Sequence, residues 1–301
     1  MRILFMSMAC LMLGRGAGPL VADDAYPRAE MLVEPAQLAQ ADFAAAFVIL
    51  DARKQEAFKA GHIPGAVRVD HDAWSKSFGD GRDGEAWSRR IGELGIGKDT
   101  KVIVYDDKGM NEAGRVWWIL SYWGVHDVRL LNGCWQGWKG AAYPIEVEPK
   151  AVQPADFRAV PHGQRLADMQ QMRKTVVGST MQIVDARSMG EYCGKDARNN
   201  KRAGAMPGAK HLDWTQLIDQ QTFRFKPAAE LRELFAQAGI DLQQPAVAHC
   251  QSGGRSSVMV FALELMGAPD VVNYYASWNE WGNADDTPIE VPAADDAKPK
   301  E

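Results

Sequence analysis

The sequence predicts an α/β protein made of two tandem copies of one unit, each a parallel β-sheet flanked by helices on both faces. Two observations predict it. The chain repeats itself, and within each copy short β-rich runs alternate with segments of helical apolar spacing. Strands that alternate with helices pair in parallel, and the crossover helices cover both faces of the sheet.

The repeat is read motif by motif. VILDARKQEAF (48–58) matches IVDARSMGEY (183–192), and GHIPGAV (61–67) matches GAMPGAK (204–210). VIVYDDKG (102–109) matches AVAHCQSG (246–253), and NGCWQGW (132–138) matches YASWNEWG (275–282). The offset between copies stays nearly constant after one insertion, the polar, basic stretch KDARNNKR (195–202) of the second copy. AGRVWWILSYWG and PAAELRELFAQAG are the clearest helical segments. The expected units are 27–148 and 169–291. Between them, 149–168 reads as a linker, rich in proline and without periodicity. The last residues, 292–301, read as a polar, solvated tail.

The N-terminus differs from the rest. Met1-Arg2 precedes ILFMSMACLMLG, long enough for a signal-peptide core and too short to span a bilayer. Ala22, before Asp23-Asp24, offers a cleavage point, so residues 1–22 are expected to be a signal peptide. The mature chain would then be periplasmic or secreted, with no membrane attachment. With 46% apolar and 24% charged residues the chain has a globular composition, and its net charge of −5 gives no reason to expect nucleic acid as a partner. Cleavage would leave three cysteines, Cys134, Cys193 and Cys250. Three are too few for a disulfide scaffold, and an odd number leaves a thiol unpaired within the chain.

Cys250 is the thiol placed for chemistry. HCQSGGRSS (249–257) follows the apolar run Ala246-Val247-Ala248 and leads into the helical VMVFALELMGA. Ligands of open parallel sheets collect at such strand ends. The amides from Gln251 to Arg255 precede the first hydrogen-bonded turn, Gly253-Gly254 lets the chain curl, and Arg255 adds charge. Such a setting lowers a thiol pKa. The loop is suited to a phosphate ester or to a transferable sulfur. Its C-x4-R spacing, with Ser256 where a C-x5-R cysteine phosphatase needs its arginine, makes a smaller cradle that favours sulfur.

The DAR…EY, GxxPGA and WxxWG motifs, twice and in one order over roughly residues 30–291, resemble the tandem rhodaneses, the thiosulfate and 3-mercaptopyruvate sulfurtransferases. The resemblance implies transfer of sulfane sulfur from thiosulfate or a similar donor to cyanide or a thiol, through a persulfide on Cys250. Gln251, Ser252, Gly253, Gly254, Arg255 and Glu191 would hold the substrate, Glu191 standing where the mammalian-type enzymes carry a substrate-binding arginine. No metal or organic cofactor is implied. A monomer is expected, with an acceptor protein as an optional partner. The DAR arginines, Arg53 and Arg187, are read as structural, and Cys134, Cys193 and His249 as packed residues. Asp106 takes the Cys250 position in the first copy, which should therefore be catalytically silent. A sulfur carrier, a 3-mercaptopyruvate enzyme and, last, a cysteine phosphatase are the alternatives.

Overall fold

The computed structural model describes residues 25–293. The expected signal peptide, and the expected tail from residue 294, lie outside the described residues. In the first domain five strands form a parallel sheet: β1 (Leu32–Val33), β2 (Phe47–Asp51), β3 (Val67–Arg68), β4 (Lys101–Tyr105) and β5 (Asp127–Leu131), in the order β1-β5-β4-β2-β3. In the second domain β6 (Gln182–Asp185), β7 (Lys210–His211), β8 (Ala246–His249) and β9 (Val271–Asn273) run in the order β7-β6-β8-β9, again parallel. Where β1 has its counterpart, the second domain keeps only a single bridge, Leu166 to Asn273.

Strand alternation separates two cores in each sheet. Leu50, Val102 and Val104 point to one face of the first sheet, while Ile49, Ile103 and Tyr105 point to the other. Ala246 and Ala248 divide from Val247 in the same way. Both faces must be covered, and the crossover helices cover them.

The two domains share one core. The helices Asn111–Tyr122 and Gly254–Leu265, which follow β4 and β8, are apolar nearly all round and buried. They lie against each other, with Gly114 against Val258 and Trp117 edge-on to Phe261 at 4.8 Å between ring centroids. Each helix starts at the motif loop of its own domain, so this packing brings both loop regions to the domain interface. The connecting segment is not free either. The amides of Ala155, Val160 and His162 donate to the carbonyls of Gly92, Trp123 and Tyr122, which lays the segment along the first domain.

Candidate active site

Cys250 follows β8 directly and is buried, 1% exposed. Its amide donates to Ser277 Oγ at 3.0 Å. The chain then turns through Gly253, at φ +87°, where a Cβ would stand 2.6 Å from the Tyr275 ring, so only glycine fits. Gly253 also starts the helix, its carbonyl accepting from the Ser257 amide and hydroxyl. Burial alone would raise the Cys250 thiol. Against that act the Arg255 guanidinium, the Ser256 hydroxyl, and the amides of Ser256 and Ser252, which together hold it below the ordinary cysteine value. A thiol held low by fixed donors carries a larger share of thiolate, which is the nucleophile.

A cavity of about 250 Å³ opens over the loop, lined by Cys250, Gln251, Ser252, Gly254 and Arg255 and by Asn111, Arg115 and Arg198. Of the residues expected from the sequence, Gly253 contributes the turn rather than the wall. Glu191 does not reach the cavity wall. It is 1% exposed, and its carboxylate accepts from Arg255 Nη1 at 2.6 Å and Nη2 at 2.8 Å. Burial alone would raise the Glu191 pKa, but this fork and the Ser188 hydroxyl hold it down at about 2. The pair fixes Arg255 beside the thiol while matching its charge.

Gln251 is also engaged. Its side-chain amide exchanges hydrogen bonds with Asn200, at 3.0 and 3.2 Å, and Asn283 Nδ2 donates to the same Asn200 Oδ1 at 3.0 Å. Asn200 lies in the 195–202 insertion, which carries the exposed Arg198 to the cavity rim. That basic insertion was the signal in the sequence for Arg198. Arg115 and Asn111 left no such signal, because they belong to the copy without a cysteine. Ser277 belongs to the repeated tryptophan motif, whose pattern signals packing rather than a site.

Beneath the loop, Asp185 accepts from the Arg187 amide at 3.0 Å and from its Nε at 2.9 Å, and Arg187 reaches on to Gly204 O at 2.7 Å. Its guanidinium lies over the Trp278 ring, 4.2 Å from the centroid. Arg53 repeats this on Asp51, Gly61 and Trp135, at a comparable 4.1 Å from the ring. An arrangement common to the copy with Cys250 and the copy without it is scaffold. His249 is fully buried, with neither ring nitrogen hydrogen-bonded, and burial pulls its pKa down to about 4. Cys134 and Cys193 are buried, and like Cys250 they are free thiols.

Fold and loop define a two-domain α/β protein with one activated cysteine at a strand end and a duplicate loop that lacks it. The rhodanese-like domain model matches residues 34–141 and 164–284, so the chain belongs to the rhodanese family. It is 34% identical to a sulfur carrier protein of Thermus thermophilus, over 77% of this chain and 86% of that protein. It is 31% identical to a thiosulfate sulfurtransferase of Pseudomonas aeruginosa, over 87% of this chain and 97% of that one. The solved structure of a 3-mercaptopyruvate sulfotransferase from Escherichia coli superposes with a TM-score of 0.73 at 28% identity, covering 82% of this chain and 98% of that one.

Proposed function

We propose that the chain is a sulfurtransferase that carries sulfane sulfur on Cys250. The carrying observation is the thiol itself: buried, held low by Arg255 and the loop donors, and open to a cavity with room for a small anionic donor. With thiosulfate as donor, the Cys250 thiolate attacks the outer sulfur. A new S–S bond forms to Cys250, the S–S bond of thiosulfate breaks, and sulfite leaves with the bonding pair. The persulfide anion then occupies the cradle of loop amides, where fixed dipoles match its charge without reorganisation. Cyanide or a thiolate attacks the outer sulfur in turn, departs as thiocyanate or a new persulfide, and returns Cys250 as thiolate. Gln251, Ser252, Gly254 and Arg255 form the loop side of the donor site, Gly253 shapes it, and Glu191 acts through Arg255.

Thiosulfate heads the reading because several relatives are thiosulfate sulfurtransferases, while a 3-mercaptopyruvate sulfurtransferase that matches over a similar span keeps that donor as the alternative. The likeness to a sulfur carrier protein favours a second reading, in which the persulfide is passed to a partner protein. Steady-state thiocyanate formation from thiosulfate and cyanide tests the first. Double-reciprocal plots should be parallel, as for a ping-pong enzyme, and Cys250→Ser should lower the rate by about a thousandfold or more. Loading once without turnover supports the carrier instead, and full activity in the variant contradicts both.

The same proposal includes units at 27–148 and 169–291 with 149–168 between them, and export. Protein recovered from a periplasmic fraction should begin near Asp23, and an intact Met1 there would contradict cleavage.

A further inference from the structure

One wall of the Cys250 cavity comes from the other domain, and its charge has no counter-ion. Arg115 stands on the first-domain helix Asn111–Tyr122 and is 9% exposed. Its Nη1 donates to Ser75 Oγ at 2.7 Å, and to Ser252 O and Tyr275 Oη at 2.8 Å each. Tyr275 is itself clamped by the first domain, stacked on Trp118 at 5.0 Å and tilted against Phe78 at 4.5 Å between centroids. All three acceptors are neutral, and among the described residues no carboxylate pairs with Arg115. A buried guanidinium left this way carries an uncompensated charge.

The other two arginines at the cavity differ. Arg255 has both terminal nitrogens on Glu191, and Arg198 is exposed at the rim. Arg115 is the cation that is both fixed and unmatched. Its Nη2 lies so close to the loop that a Cβ on Gly254 would stand 2.5 Å from it, which ties that glycine to the first domain.

We propose that Arg115 binds the anionic end of the sulfur donor, a sulfonate or carboxylate, so that the domain without a nucleophile supplies the counter-charge at the site. The identity of the ligand rests on the sulfurtransferase reading, while the anion site rests on Arg115 alone. A purely structural tie between domains would be served as well by a neutral side chain, because every present acceptor is neutral.

The test compares two alkylating reagents at Cys250, anionic iodoacetate and neutral iodoacetamide, at one pH and with the modified peptide identified by mass. Both meet the same thiolate, so their rate ratio cancels changes in thiol pKa or loop order and reports charge in the cavity. Arg115→Gln should lower the iodoacetate-to-iodoacetamide ratio by roughly fivefold to tenfold, with the iodoacetamide rate nearly unchanged. Arg115→Lys, which keeps the charge, should retain most of the preference. An unchanged ratio in Arg115→Gln, both rates falling together, or Arg115→Lys behaving like Arg115→Gln would each overturn the proposal. If thiosulfate fails to load Cys250 while the ratio still falls, the sulfurtransferase reading fails and the anion site stands.

Discussion

After β4 the chain places Asp106 in a loop whose amides turn inward onto its carboxylate, those of Lys108 and Met110 onto Oδ1 and those of Glu112 and Ala113 onto Oδ2, at 2.8 to 3.1 Å. After β8 the corresponding loop sets the amides of Ser252 and Ser256 where they lower the Cys250 pKa. Behind each stands the same residue of the tryptophan motif at positive φ. Cys134, at +55°, directs its thiol at Asp106 Oδ1 at 3.3 Å, and Ser277, at +59°, lies 3.9 Å from Cys250 Sγ. Burial and then Asp106 push the Cys134 thiol well up, so it stays protonated as a donor. Both cradles are anion sites. The first is filled for good by a carboxylate of its own chain. In the proposed cycle the second holds a thiolate that is also a nucleophile and gains one sulfur atom. The first copy thus keeps its cradle and holds a carboxylate where the second holds a thiol.

The most severe way to break this comparison is Cys250→Asp, which copies the silent loop into the live one. Thiocyanate formation should fall below about a thousandth of wild type, with far-UV circular dichroism unchanged, since a carboxylate suits the amides. Collapse of the fold instead would mean that the two cradles are not equivalent.

A second difference lies one residue earlier. Tyr105 donates its hydroxyl to Asp51 Oδ2 at 2.5 Å, whereas His249 approaches Asp185 only to 3.5 Å. Burial keeps the His249 pKa at about 4, below the ordinary 6.5. Between these values the unfolded chain binds a proton that the folded chain does not. Stability is therefore full above pH 6.5 and falls as the pH drops towards 4, by about 3 kcal/mol from this group. Urea midpoints at pH 7 and pH 4.5 measure it, and His249→Tyr, the silent domain's residue, should flatten that part of the profile. An unaltered pH profile in the variant would assign the acid sensitivity elsewhere.

Asp106→Ala should cost about 2 kcal/mol or more, because four amides lose their carboxylate acceptor. Activity per folded molecule should stay close to wild type, with denaturant titration separating the two. The smallest effect is expected from Gln251→Ala. It releases Asn200 and the segment that carries Arg198, so the KM for an anionic donor should rise severalfold with kcat little changed.

The fold was legible because its signals are local or repeated. Strand-to-helix alternation, the duplicated Asp-Ala-Arg and tryptophan motifs, and the glycine loop after Cys250 each lie within a few residues of chain. Two things escaped for a physical reason. The second sheet lacks a partner for β1, because the linker contributes only the Leu166 bridge there. The cavity wall depends on contacts between distant segments: Glu191 with Arg255, Asn200 with Gln251, and Arg115 across the domain interface. Packing of the two central helices sets those contacts, and no spacing within one loop encodes them. Glu191 illustrates the limit. Its position near the loop was readable, but whether it faced the donor or Arg255 was decided by tertiary geometry.

The central claim is that one cradle of two is armed, by Cys250. Intact mass after incubation with thiosulfate, followed by removal of excess donor, tests it most directly. The account predicts a gain of one sulfur atom, localised to the Cys250 peptide, discharged by cyanide and absent in Cys250→Ala. A gain that persists in Cys250→Ala, or that maps to Cys134 or Cys193, would contradict it.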